Sequence, residues 1–373
     1  MKKKFSKIML IVLFAAILYV PSIAWYASRG AWETPNLENR VLAEWPRLSE
    51  KKLEALPKAY EKYYNDHMPF RNQLIYGNSL FAKHVFRSSA NANVIFGKDG
   101  WLFYNGVVDG DPIATYRGED LLTGEELRQI VGDLRKTRDN LAKRGIEFVL
   151  LIAPNKERVY PEYMPDAYGP PAEEYAAKQL VDFLKNRTDL HVVYAYDDLM
   201  QAKAEFPDVL LYYPFDTHWN RVGAYVGARA VLRELGIEIP ALTRESLVLK
   251  EGEFAGDLNV LSHLILQNFP YSWYEVKDAN RPGYRQENSD NNLMHTAVSD
   301  LKTAPKLLMK HDSFGENLLP YVLPWFSSSH TMFNQLYANE MVEVDQPDVF
   351  VQVAVERYVR KWLMDGPLYV PTK

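Results

Sequence analysis

Four short apolar runs, each breaking off into a cluster of polar side chains, constrain this 373-residue chain more than any other feature. Residues 148–153 run into Pro154-Asn-Lys-Glu-Arg158, and residues 209–213 into Asp216-Thr-His218. Residues 306–309 run into His311-Asp-Ser313, and residues 349–355 into Glu356-Arg357. Apolar runs of this length suit strands buried on both faces. Between them, and around a further run at 191–195, helix-period stretches recur at 124–142, 172–185, 199–206 and 221–235. That alternation predicts a parallel sheet with helices on both faces. Ligands of such sheets bind beyond the carboxyl ends of the strands, so the polar clusters are expected to share one crevice.

The N-terminus adds a separate element. Lys2, Lys3, Lys4 and Lys7 precede an uncharged stretch from Ile8 to Ala27. About twenty apolar residues suffice to cross a bilayer, and lysines on the leading side keep that end in the cytoplasm. The expectation is a single-pass membrane anchor at 1–27 with the remainder extracytoplasmic. The alternative is a secreted chain released by signal cleavage, which Pro21, Trp25 and Tyr26 disfavour near the cleavage region. Residues 28–92 read as an extended stalk (28–50) and a helical lead-in, with helices at 53–65 and 72–86 broken at Pro69. The main domain is placed at 93–373. It opens on a hairpin at 94–104 around the Gly97-Lys-Asp-Gly100 turn, and a polar stretch at 266–300 reads as a long insertion, a candidate lid.

The chemistry sits in two of the clusters. In an extended chain, side chains at i and i+2 point the same way. Asp216 can then orient the ring of His218, while Thr217 is expected to point away from that face. Serine chemistry needs such an oriented base, a nucleophile and donors for the oxyanion. Ser313 is the candidate nucleophile and its own backbone N–H one donor; Asn155 or Arg158 could supply a second. Trp219 is a candidate glycan contact, although a Trp in this setting is more often core. A metal competes for Asp216 and His218, with His311 as third ligand. No His-x-x-x-His, His-Glu-x-x-His or Cys cluster accompanies them, so no metal and no cofactor are assigned.

The chain has no cysteine, which excludes a disulfide framework and a thiolate nucleophile. Its net charge is −5, and more negative once the N-terminal lysines are set aside. Nucleic-acid binders carry a basic surplus, so no nucleic-acid partner is expected.

Five motifs taken together resemble the alginate O-acetyltransferase group, the SGNH-hydrolase-like proteins also called DHHW proteins. They are Asn65-Asp-His-Met-Pro-Phe-Arg71, Gly97-Lys-Asp-Gly-Trp-Leu-Phe-Tyr104, Ala153-Pro-Asn-Lys-Glu-Arg-Val-Tyr-Pro161, Asp216-Thr-His-Trp219 and His311-Asp-Ser-Phe-Gly315. The resemblance implies an SGNH-like α/β domain in its permuted form, with the serine late in the chain, and a single-domain, membrane-anchored member. It implies a triad of Asp216, His218 and Ser313. It further implies acetylation of an exported polysaccharide, with acetyl groups received through a membrane-bound O-acyltransferase partner. The second histidine of the name motif is Thr217 here, a change expected to be tolerated. A glycan deacetylase using the same triad and a non-catalytic polysaccharide-binding protein are the alternatives.

Overall fold

The computed structural model describes residues 2–27, 41–47, 54–86, 88–264, 270–277, 281–288, 293–336 and 338–371. They fall into two compact units, one of residues 1–91 with 259–268 and one of residues 92–258 with 269–373. In the first unit, Lys2–Ala27 form one helix that includes Pro21. Among the described residues no helix is long and apolar enough to cross a membrane. Leu56–His67 and Arg71–Phe81 form two further helices. Between them Met68 is extended, at ψ 133°, and Phe70 is left-handed, at φ 60°. This is the break that Pro69 predicts, because its ring disfavours a helical residue before it. His67 closes the first helix against Tyr63, its ring stacked at 4.1 Å. Most of the expected stalk lies outside the described residues.

The second unit opens on the predicted hairpin, with β1 (Val94–Phe96) antiparallel to β2 (Leu102–Tyr104). The main sheet follows: β3 (Glu147–Ala153), β4 (His191–Tyr194), β9 (Lys306–His311), β10 (Ser328–Phe333) and β11 (Val349–Val355), all parallel. Successive side chains of a strand face opposite sides, and the core divides accordingly. Val149, Leu151, Val351 and Val353 join one cluster with the helix Arg221–Glu234. Phe148, Leu150 and Phe350 join another with the helices Gly124–Ala142 and Ala176–Arg187. With β7 (Tyr284–Asn288) and β8 (Met294–Ser299) added, strand order is β4-β3-β11-β9-β10-β8-β7, so the chain leaves β3 for one side and β9 for the other, with β11 between. That is a topological switch point, where α/β sheets open a crevice.

Two expectations change. The run at 209–213 is not a strand of the sheet. It makes a single antiparallel bridge, Tyr212 to Trp219, and the chain reverses between them. Pro207 and Pro214 flank it and lack the N–H a central strand needs. The stretch 266–300 is also not simply a loop. β5 (Leu247–Glu253) pairs with β6 (Pro270–Val276), and β7 (Tyr284–Asn288) with β8 (Met294–Ser299) extends the main sheet antiparallel. The sheet is therefore mixed. The polar tract at 289–292 lies outside the described residues.

The reversal at 212–219 is pinned by the next helix. Asn220 caps it, accepting from the N–H groups of Val222 (2.9 Å) and Gly223 (3.1 Å), and donates back to the Leu210 carbonyl at 2.6 Å. A Cβ on Gly223 would stand 2.2 Å from the Leu211 carbonyl oxygen. Gly223→Ala is therefore expected to cost about 1–3 kcal/mol through overpacking, read as a lower denaturant midpoint at unchanged slope.

Candidate active site

Ser313 is the first residue of the helix Ser313–Val322, immediately after β9. Asp312 caps that helix, accepting the Phe314 N–H at 3.0 Å, and also accepts the Val355 N–H of β11 at 2.6 Å. The serine turn is thereby tied to two adjacent strand ends. Gly315 is required here, since a Cβ would lie 2.4 Å from the His311 ring. Among the described residues the Ser313 N–H has no protein acceptor, and it sits at a helix N-terminus, where partial positive charge accumulates.

Asp216 and His218 arrive from the reversal. The Asp216 Oδ1 accepts the His218 backbone N–H at 2.9 Å and its ring Nδ1–H at 2.6 Å. The first bond is the local Asp-to-i+2 turn typical of this side chain. It brings the pair together where strand alternation was expected to. The other ring nitrogen, Nε2, lies 2.7 Å from the Ser313 Oγ. With Nδ1 donating to a carboxylate, Nε2 is the unprotonated acceptor, the tautomer a general base requires. Two bonds join the base segment to the serine helix. The Trp219 indole donates to the Phe314 carbonyl at 3.0 Å, and the Asn317 amide to the Trp219 carbonyl at 2.9 Å.

Three contributors around this chain were not foreseen in these roles. Asp257 accepts the Thr217 N–H at 2.8 Å and its hydroxyl at 2.5 Å, while its own N–H donates to Asp216 Oδ2 at 2.9 Å. Thr217 thus does not point away: its Oγ1 lies 3.3 Å from His218 Nδ1. The second is Lys156. Its buried ammonium donates to the carbonyls of Asp216 (2.7 Å), Pro214 (3.2 Å) and Tyr213 (3.3 Å), and to that of Leu102 in β2. The third is Arg357, whose guanidinium lies 5.7 Å from the Phe314 ring centre. Asp257 carries no local sequence signal beyond Gly256, where a Cβ would stand 2.1 Å from the Phe215 carbonyl oxygen.

The other sequence candidates have different placements. Arg158 bonds Glu356 at 2.6 Å and the Ala172 and Thr115 carbonyls, and lies 3.4 Å over the Tyr175 ring. It is a buried brace. Trp219 is fully buried, so its ring offers no face to a glycan. Asn155 is buried with both amide atoms unpartnered among the described residues. His311 is buried, its Nδ1 donating to the Asp312 carbonyl at 2.7 Å. The third acid-or-imidazole group beside Asp216 and His218 is Asp257 instead, their ligand-type atoms lying within 4.8 Å of one another. Both ring nitrogens of His218 already have hydrogen-bond partners in Asp216 and Ser313.

Burial opposes charge on all three acid–base groups; partners outweigh it at Asp216 and His218, but not at Asp257. Asp216 stays below the usual carboxylate range despite burial, because His218 and the Asp257 N–H hold its charge. Burial pulls the His218 ring down, but the Asp216 bond and the charges of Asp216 and Asp257 outweigh it and leave the ring raised. Asp257 is raised, first by burial and then by the neighbouring Asp216. Burial lowers Lys156 to about 8, against the pull of Asp257 and Asp216.

A serine after the carboxyl end of β9, joined through an imidazole to a carboxylate on an adjoining chain reversal, defines a serine-type site on an α/β fold. Residues 94–300 match the family model described as the SGNH hydrolase-like domain of the acetyltransferase AlgX. The match spans more than half the chain, and the protein belongs to this family. It includes Asp216, His218 and Asp257 and stops short of Ser313. A probable alginate O-acetylase, AlgJ of Pseudomonas putida, is 30% identical over 228 residues, covering 59% of this chain and 51% of that protein. The chain thus spans about half the length of the curated relatives it matches. Among solved structures, a DHHW family protein from Eubacterium siraeum has a TM-score of 0.53 at 12% identity, covering 75% of this chain and 99% of that one. PatB1 of Bacillus cereus, solved with a sulfonyl adduct, has a TM-score of 0.52 at 11% identity, covering 74% and 99%. Likeness at such identities concerns the fold.

Lys156→Met removes a charged donor from a ring of buried carbonyls. Each charge-assisted bond lost and each acceptor stranded counts about 1–3 kcal/mol. The variant is expected to unfold at markedly lower denaturant than the parent, and a midpoint within error of the parent refutes the clamp.

Proposed function

We propose that the protein is an extracytoplasmic O-acetyltransferase that acetylates an exported polysaccharide through an acetyl-serine. The observation that carries this reading is the continuous chain from Asp216 Oδ1 through both His218 nitrogens to Ser313 Oγ, at 2.6 and 2.7 Å. His218 Nε2 takes the Ser313 proton as Oγ attacks the acetyl carbonyl carbon of an ester donor. The imidazolium then protonates the departing alcohol. A sugar hydroxyl attacks the acetyl-serine, its proton passing to Nε2, and as the ester bond to Ser313 breaks the imidazolium returns that proton to Oγ. The oxyanion of each step would be held by the Ser313 N–H, with the unpartnered Asn155 amide as second donor. An unbroken triad favours chemistry over a scaffold role.

Family membership and the names of the matched relatives support a polysaccharide as acceptor. The acetyl supplier would be a membrane-bound O-acyltransferase. The N-terminal helix would seat in the membrane, consistent with the exposure of Ile8, Leu10, Ile11, Phe14 and Ile17 along it and the lysines in its first turns.

Ser313→Ala is expected to abolish base-labile acetate on the purified glycan at unchanged protein level. Single triad deletions in model serine enzymes cost about 10⁴–10⁶ in rate, the orienting acid being the mildest, so Asp216→Ala should retain a trace. Normal acetate in the Ser313→Ala strain refutes the transferase; increased acetate identifies a deacetylase. Because the folded His218 is raised, the acid limb of kcat/KM should lie above the ordinary histidine value of about 6.5, with activity lost as pH falls through it. For localisation, protease added to intact protoplasts should remove the domain; protection reverses the topology.

A further inference from the structure

We propose that Asp257 is a positioning residue of this site, a second carboxylate that locks the Asp216–His218 turn and acts on His218 through the Thr217 hydroxyl. The inference rests on the serine-base reading above.

Three features carry it. First, Asp257 closes the turn from both directions. Its peptide N–H holds the far oxygen of Asp216, and its carboxylate holds the N–H and hydroxyl of Thr217, the residue between acid and base. Gly256 permits this approach, since any side chain there would collide with the Phe215 carbonyl and Asp216 Cβ. Second, the Thr217 hydroxyl proton is committed to Asp257 at 2.5 Å. The Oγ1 lone pairs are then all that face His218 Nδ1, at 3.3 Å, so the threonine can only accept from the ring. An acceptor whose own proton leans on a carboxylate is the more negative one. Third, the Asp257 Oδ2 lies 3.7 Å from Nδ1, a second acidic oxygen beside the nitrogen that Asp216 already holds. Neighbouring carboxylates repel. Their juxtaposition is sustained by nearby positive charge, and two groups supply it: the Lys156 ammonium, which interacts electrostatically with both acids, and the imidazolium formed as Ser313 gives up its proton. No proton leaves the ring for either acid. Both remain carboxylates that favour the protonated ring.

The groups facing these residues are few. Asp216, Asp257 and Arg357 bear on His218, Arg357 in the opposite sense to the two acids. Asp216 and His218 bear on Asp257, and Asp257 bears on Lys156 and Tyr104. Removing the Asp257 charge while keeping its shape therefore has a defined sign. The imidazolium loses support, and the ring titrates at lower pH.

The test is Asp257→Asn in the full chain, followed by NMR titration of the His218 imidazole, assigned with His218→Gln. A downward displacement of about one unit is expected, the scale of a close charge partner. Hydrolysis of 4-nitrophenyl acetate is expected to lose about tenfold in kcat with KM unchanged, its acid limb moving down in step. Thr217→Val should move the titration the same way, and Thr217→Ser should restore it. An unmoved His218 titration in Asp257→Asn overturns the inference, as does a loss confined to thermal stability. If Asp257→Asn fails to fold, an unmoved titration in Thr217→Val overturns it equally. Ser313→Ala is run alongside on the same ester. Hydrolysis unaffected by that change would refute the serine-base reading itself, an outcome separate from the titration.

Discussion

The ammonium of Lys156 is the interaction on which the arrangement turns. One buried cation gathers the carbonyls of Tyr213, Pro214 and Asp216, and reaches across to Leu102 of the hairpin. A reversal containing Pro214 cannot satisfy its own carbonyls through a ladder, and buried unpaired carbonyls are costly. The lysine supplies the donors the backbone lacks. Because it begins the helical turn directly after β3, it also transmits the position of a central strand to the base. Asn155 apart, the polar cluster after β3 thus supports the site without entering the chemistry.

The same division holds at the other strand ends. After β11, Glu356 takes Arg158 at 2.6 Å, the Tyr194 hydroxyl at 2.9 Å and the Asn155 N–H at 3.1 Å. This network ties β3, β4 and β11 together at the crevice. An ion pair buried this deeply contributes little net stability against well-packed apolar side chains. What it does is hold strand ends in register beneath the serine turn, which Asp312 anchors to the last N–H of β11.

The central strands and the helices were legible because burial on both faces leaves nearly unbroken apolar runs, and amphipathic helices carry their own period. Strands β5 to β8 were not. They are antiparallel and open to solvent on at least one face, so polar residues such as Arg285 and Glu287 interrupt any apolar run. Asp216, His218 and Ser313 were legible as types at a spacing, but the reason they meet was misread. A side-chain turn, not strand alternation, places the base. Asp257 was illegible because nothing nearby in sequence marks an acid that acts forty residues away. Thr217 was dismissed on a strand geometry that the chain does not adopt there. Arg158 and Trp219 are candidates in the sequence with a structural role left open beside the functional one, because types alone do not separate a brace from a contact.

The indole of Trp219 lies wholly within the core while its nitrogen holds the carbonyl beside the nucleophile. Base and nucleophile therefore share their fate with the hydrophobic interior, unlike sites assembled on surface loops that loosen well before the body melts. On warming, the geometry of the triad should persist until the interior itself gives way. Loss of function and loss of fold then become one cooperative event, an advantage for a protein with no cysteine to staple it.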